Sequence, residues 1–139
     1  MIKAKIFWDK LCSELGYRFF TGIPIAEFKV LYNTMAIDFM HFIPAVDEVR
    51  ALGLVSGASL SGVKGAVLMS SRAFDNIKAQ MDNFNIKYNI PILFIVEDTY
   101  NPLRLEQFEI SNDLNILDSL VAYLNKSSAI LVVKEGVIS

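Results

Sequence analysis

The chain has 139 residues, of which 53% are hydrophobic and 20% charged, and carries a net charge of −2. That length suits one domain with a core that needs no disulfide or metal staple, and the composition argues against a disordered chain. The slightly acidic balance argues against a nucleic-acid surface. No uninterrupted apolar run reaches the roughly 18 residues of a membrane span, so no membrane partner is expected.

The N-terminal stretch MIKAKIFWDKLCSELG has apolar residues spaced for an amphipathic helix over about 2–15 and does not read as a signal peptide. With a single cysteine, Cys12, an intracellular, cytoplasmic protein is expected. A first strand is read in YRFFTG (17–22). Gly22, Ile23 and Pro24 then turn the chain into a helix near 25–35. The run DFMHFIPAV (38–46) reads as a second strand. The helix after it, 47–61, has Asp47 placed to cap its first turn. Gly53 and Gly57 lie on one face of that helix. Interior glycines each cost about 1 kcal/mol relative to alanine. The pair therefore points to a close backbone approach, either by the domain's own sheet or by another subunit. GAVLMSS (65–71) reads as a strand, 73–88 as a helix, and IPILFIVED (90–98) as a strand. Asp98–Asp113 is polar, contains Pro102, and reads as an irregular surface loop. A helix near 114–125 and a strand in SAILVVKEG (128–136) complete the order.

Unbroken apolar runs suit strands covered on both faces. Their alternation with helices predicts an α/β fold: three layers, doubly wound, with a mostly parallel sheet of about five to six strands and helices on both faces. Ligands in such folds bind beyond the carboxyl ends of the strands. This directs attention to Thr21–Ile25, Ala45–Glu48, Ser70–Asn76 and Glu97–Pro102. The chain lacks GxxxxGK[ST] and GxGxxG motifs, so it shows neither a P-loop nor a dinucleotide fingerprint. One histidine and one cysteine do not make a zinc site. His41, inside the second apolar run, reads as a core or rim residue.

Taken together, FFTGIPIAEF, HFIPAVDEVRALGLVSGASLSG, GAVLMSSRAFDNI and NIPILFIVE resemble the pyrimidine-binding domain of thiamine-diphosphate enzymes. The likeness is to the α subunit of sulfopyruvate decarboxylase and the matching part of phosphonopyruvate decarboxylase. It covers about residues 5–98, with Pro44–Gly62 the most specific block, and implies that 1–139 is a single pyrimidine-binding domain. In this family the glutamate after the second strand, here Glu48, is catalytic. It bonds a ring nitrogen of the cofactor's aminopyrimidine and so activates the cofactor. Gly22, Ile23 and Pro24 would lie along thiamine diphosphate. Ile25, Ser70, Ser71, Arg72 and Asn76 would face the substrate, a small 2-oxo acid. The assignments of Glu48, Gly22, Pro24 and Arg72 have plainer alternatives. Glu48 sits where the helix dipole favours a carboxylate, Gly22 and Pro24 suit any tight turn, and Arg72 suits any surface near a helix start.

Two departures stand out. Ala26 occupies the place of a serine that can bond substrate, and Ser71, Arg72, Ala73, Phe74 and Asp75 replace most of a glycine-rich loop, leaving Asn76. Phe74 and Asp75 are expected to crowd or recharge that space. Arg72 offers a guanidinium for an anionic substrate tail. The family's Gly-Asp-Gly…Asn motif, which holds Mg2+ and the diphosphate, is not found in this chain. The resemblance therefore implies a diphosphate-binding β subunit that carries it. The assembly would be a hetero-oligomer, with a homodimer open to the isolated chain, and the chain would be inactive alone. A divergent, non-catalytic partner or regulatory subunit of the same fold is the alternative.

Overall fold

The computed structural model describes residues 1–35 and 41–139. The first three residues of the run read over 38–46 lie outside the described residues. In chain order the elements are α1 (Ala4–Trp8), β1 (Phe19–Gly22), α2 (Lys29–Asn33), β2 (His41–Pro44), α3 (Glu48–Leu60) and β3 (Gly65–Leu68). They continue with α4 (Phe74–Gln80), β4 (Leu93–Val96), β5 (Glu106–Glu109), α5 (Ile116–Leu124) and β6 (Ala129–Val132). The helical pattern read over 2–15 is α1 running on as a π-helical stretch, Asp9–Glu14, and α4 likewise runs on through Met81–Asn85.

The six strands form one sheet in the order β2-β1-β3-β4-β6-β5, and every neighbouring pair is parallel. Side chains alternate along a strand, so each apolar run feeds two cores. Ala66, Leu68, Leu93, Ile95, Ala129 and Leu131 face one side, with α1, α2 and α5. Val67, Met69, Phe94, Val96, Ile130 and Val132 face the other, with α3 and α4. The expected doubly wound, three-layer arrangement is the one observed.

Two strands differ from the sequence expectation. β5 lies inside the stretch read as an irregular loop. Its sequence EQFE is polar because it is an edge strand, open along one side and carrying exposed Glu106 and Glu109. A criterion built on unbroken apolar runs misses such a strand. β2 is the opposite edge. Its residues were read as covered on both faces, yet His41, Ile43 and Pro44 are exposed. His41 is therefore a rim residue.

Polar contacts add to the apolar packing between helices. Trp8 Nε1 donates to the Leu31 carbonyl and to Thr34 Oγ1, each at 3.1 Å, tying α1 to α2. Cys12 is buried in this core, and burial pushes its thiol pKa up to about 11.

Candidate functional site at the carboxyl edge of the sheet

Register brings the ends of four strands level. Gly22 pairs with Pro44 on one side and with Leu68 on the other, and Leu68 pairs with Ile95. β2 follows β1 to one side while β3 lies on the other, so the winding reverses between β1 and β3. In open α/β sheets such a reversal is where a ligand crevice forms. The loops leaving these strands are joined by backbone bonds, Ala45 N–H to the Gly22 carbonyl at 3.0 Å and Met69 N–H to the Ile95 carbonyl at 3.1 Å. Buried Thr21 donates its hydroxyl to the Ile43 carbonyl at 2.6 Å.

Gly22 has φ +147°, and a Cβ there would sit 1.9 Å from the Leu68 carbonyl oxygen. The β1–β3 contact itself therefore demands glycine, with no ligand invoked. Beyond it, Ile23 and Ile25 are half-buried and Pro24 and Ala26 are exposed.

Glu48 opens α3 at this same edge and is half-buried. Its neighbour Asp47 caps the helix: Asp47 Oδ1 accepts the Arg50 N–H at 2.8 Å, and Oδ2 pairs with the Arg50 guanidinium at 2.7 Å. Glu48 makes no side-chain hydrogen bond or ion pair with another described residue. Helix capping and local charge pairing are thus both met by Asp47, and the Glu48 carboxylate remains available.

The β3–α4 turn is a single 3-10 turn, Ser71–Ala73, leading straight into α4. Ser70 Oγ accepts the Arg72 N–H at 3.3 Å. Ser71 is fully buried, its N–H donates to Glu97 Oε1 at 2.7 Å, and its hydroxyl has no partner among the described residues. The Arg72 guanidinium stacks 4.8 Å from the Tyr100 ring, and Tyr100 donates its hydroxyl to Asp75 at 2.8 Å. That hydrogen bond raises the Tyr100 pKa. Asn76 is exposed in the first turn of α4. Phe74 does not crowd this space as expected. It is buried edge-on against Phe94, with centroids 5.2 Å apart.

The structure thus places Gly22, Ile23, Pro24, Ile25, Glu48, Ser70, Ser71, Arg72 and Asn76 at the ends of β1, β2 and β3 or in the loops and first helical turns that leave them. Glu97 and Tyr100, given no role from the sequence, join them from the segment after β4. The position of Glu97, directly behind a buried strand, was the available signal.

Of the two explanations for the glycine-bearing face of α3, packing on the domain's own sheet is overturned. Gly53 and Gly57 are exposed, and among the described residues a Cβ at either would meet nothing within 4 Å. Among the described residues, no group of three or more His, Cys, Asp or Glu is placed to hold a metal ion. No helix among them is long and apolar enough to cross a membrane.

The architecture is that of a known class. The chain superposes on 2-oxoglutarate:ferredoxin oxidoreductase from Magnetococcus marinus, solved with 2-oxoglutarate, coenzyme A and succinyl-CoA bound. The TM-score is 0.66 at 15% identity, over 88% of this chain and 27% of that one. In sequence it is similar to the sulfopyruvate decarboxylase subunit alpha of Methanococcus maripaludis, at 32% identity over 88 residues, which is 63% of this chain. The match takes in 53% of that relative, so the chain spans about half of its length. No family model matches. The resemblance drawn from the sequence is thereby shown, on the fold it implied.

Proposed function

We propose that the chain is the pyrimidine-binding subunit of a two-chain, thiamine-diphosphate-dependent decarboxylase of a small 2-oxo acid. Residues 1–139 would form one pyrimidine-binding domain, working in the cytoplasm. The observation that carries this reading is half-buried Glu48, without a described side-chain partner, at the sheet edge where the winding reverses, in a chain similar to a decarboxylase α subunit.

The residues present fit the cofactor. Glu48 would share a proton with a ring nitrogen of the aminopyrimidine. The backbone of Gly22, Ile23 and Pro24 would flank the ring, since it leaves β1 at the strand ends where the winding reverses. When bound, thiamine diphosphate supplies the electron sink for loss of carbon dioxide. Ile25, Ser70, Ser71, Arg72 and Asn76 would bound the substrate side, with Arg72 available to an anionic tail. A companion β chain with the Gly-Asp-Gly…Asn motif would hold Mg2+ and the diphosphate.

The test is reconstitution with that companion chain, thiamine diphosphate and Mg2+, assayed for decarboxylation of pyruvate, sulfopyruvate and phosphonopyruvate. Glu48→Gln should lower turnover by about 10²–10⁴-fold or more. Unchanged turnover would reject the assignment. A second reading, a non-catalytic partner subunit, is favoured by the glycine-free Ser71–Asp75 turn, which Glu97 and Tyr100 already engage. It requires that the reconstituted complex bind the cofactor weakly and turn over none of the three acids.

A further inference from the structure

Arg72 stands in the turn after β3, and three carboxylates belong to its own and the facing segment: Asp75, Glu97 and Asp98. Among the described residues none of them forms an ion pair with it, and its guanidinium donates no hydrogen bond. Side chains three apart on a helical turn are neighbours, so Asp75 is the nearest counter-ion in sequence. Asp47 and Arg50 have the same spacing in reverse order, and they do pair, at 2.7 Å.

Each of the three carboxylates has another donor. Asp75 accepts the Tyr100 hydroxyl at 2.8 Å, Glu97 Oε1 accepts the Ser71 N–H at 2.7 Å, and Asp98 Oδ1 accepts the Thr99 N–H at 2.7 Å. Tyr100 therefore acts twice. Its hydroxyl holds Asp75, and its ring centroid lies 4.8 Å from the Arg72 guanidinium carbon. A guanidinium over a ring uses its flat face and leaves the N–H donors in its plane free. Those donors take a carboxylate, sulfonate or phosphonate two at a time. Arg72 is exposed, shortly past Leu68, the strand end level with Gly22.

We infer that Tyr100 is a positioning residue that gives the site its preference for 2-oxo acids with a second acidic group: the ring seats the Arg72 guanidinium, and the hydroxyl keeps Asp75 from neutralising it. This rests on the decarboxylase reading above and adds what selects the substrate. Pyruvate has no such tail, so it serves as the reference.

The experiment compares kcat/KM for sulfopyruvate with that for pyruvate in the reconstituted complex. Tyr100→Phe keeps the ring and frees Asp75. The preference for sulfopyruvate should fall by about fivefold, the strength of an exposed ion pair competing for the guanidinium, with the loss in KM. Adding Asp75→Asn to Tyr100→Phe removes the competitor and should restore the preference; adding it to Tyr100→Leu, which lacks the ring, should not. An unchanged preference in Tyr100→Phe, or one that Asp75→Asn fails to restore, overturns the inference while leaving the decarboxylase reading intact. A second readout needs no turnover. The Arg72 Nε–H signal of this chain should shift with added methylphosphonate, with an affinity about fivefold lower in Tyr100→Phe. A signal that stays still, or that titrates alike in both proteins, also overturns the inference. A complex that decarboxylates none of the acids, while that difference in titration persists, sinks the decarboxylase reading and upholds the role of Tyr100 at an anion site.

Discussion

Alanine substituted at three glycines should act in opposite directions. At Gly53 and Gly57 the helix is regular, neither has positive φ, and the added methyl meets none of the described residues within 4 Å. Each change to alanine should then stabilise the isolated chain by about 1 kcal/mol, the difference in helix propensity. The double variant should gain about 2 kcal/mol, and for a domain of this size the melting temperature should rise by about 8 °C. Gly22→Ala should do the reverse. Its φ of +147° is strained for any L side chain, and the Cβ would lie 1.9 Å from the Leu68 carbonyl oxygen. The strands would have to part at the sheet's centre, costing more than about 4 kcal/mol. The assay is urea and thermal denaturation followed by circular dichroism, on the isolated protein. A destabilised Gly53→Ala/Gly57→Ala variant would refute the view that none of the described residues packs on that face. A well-folded Gly22→Ala would refute the close β1–β3 contact.

Other outcomes follow from single contacts. Cys12 should not react with a thiol reagent at pH 8 in the folded protein, since a pKa of about 11 leaves about one thiolate in a thousand. Because that pKa is raised above the unfolded value of 9.0, its contribution is intact below pH 9 and lost as pH climbs through about 11. Burial raises Tyr17 and pushes Tyr32 up to about 12, both from 10.0, so these add to the loss above pH 10. Urea midpoints measured across pH 8–11 should therefore fall, and less steeply in Cys12→Ala. Glu97→Ala should cost about 1–3 kcal/mol by orphaning the Ser71 N–H and speed exchange of that amide. Glu97→Gln should restore both, because its carbonyl accepts the same bond. Glu48→Gln should leave the stability of the isolated chain within about 1 kcal/mol, since Glu48 has no described partner; a larger loss would mark a structural role.

The sequence by itself determined the layering of this protein. Runs such as LFIV and AILV have no polar alternation, which only a strand covered on both faces accommodates, and the helical periods between them dictate parallel crossovers. It also marked Glu48 and Gly22 as residues to watch, because they sit at strand-to-helix turns. Edge strands were illegible: β5 is too polar and β2 too apolar for their positions, since edge exposure depends on strand order, which is a long-range property. Tertiary structure alone decided the rest. It showed that the Gly22 requirement comes from a neighbouring backbone and that Gly53 and Gly57 face open space. It buried Phe74 against Phe94 and brought Glu97 to Ser71 across 26 residues of chain. Such contacts are set by register and winding, and no local pattern of residues encodes them.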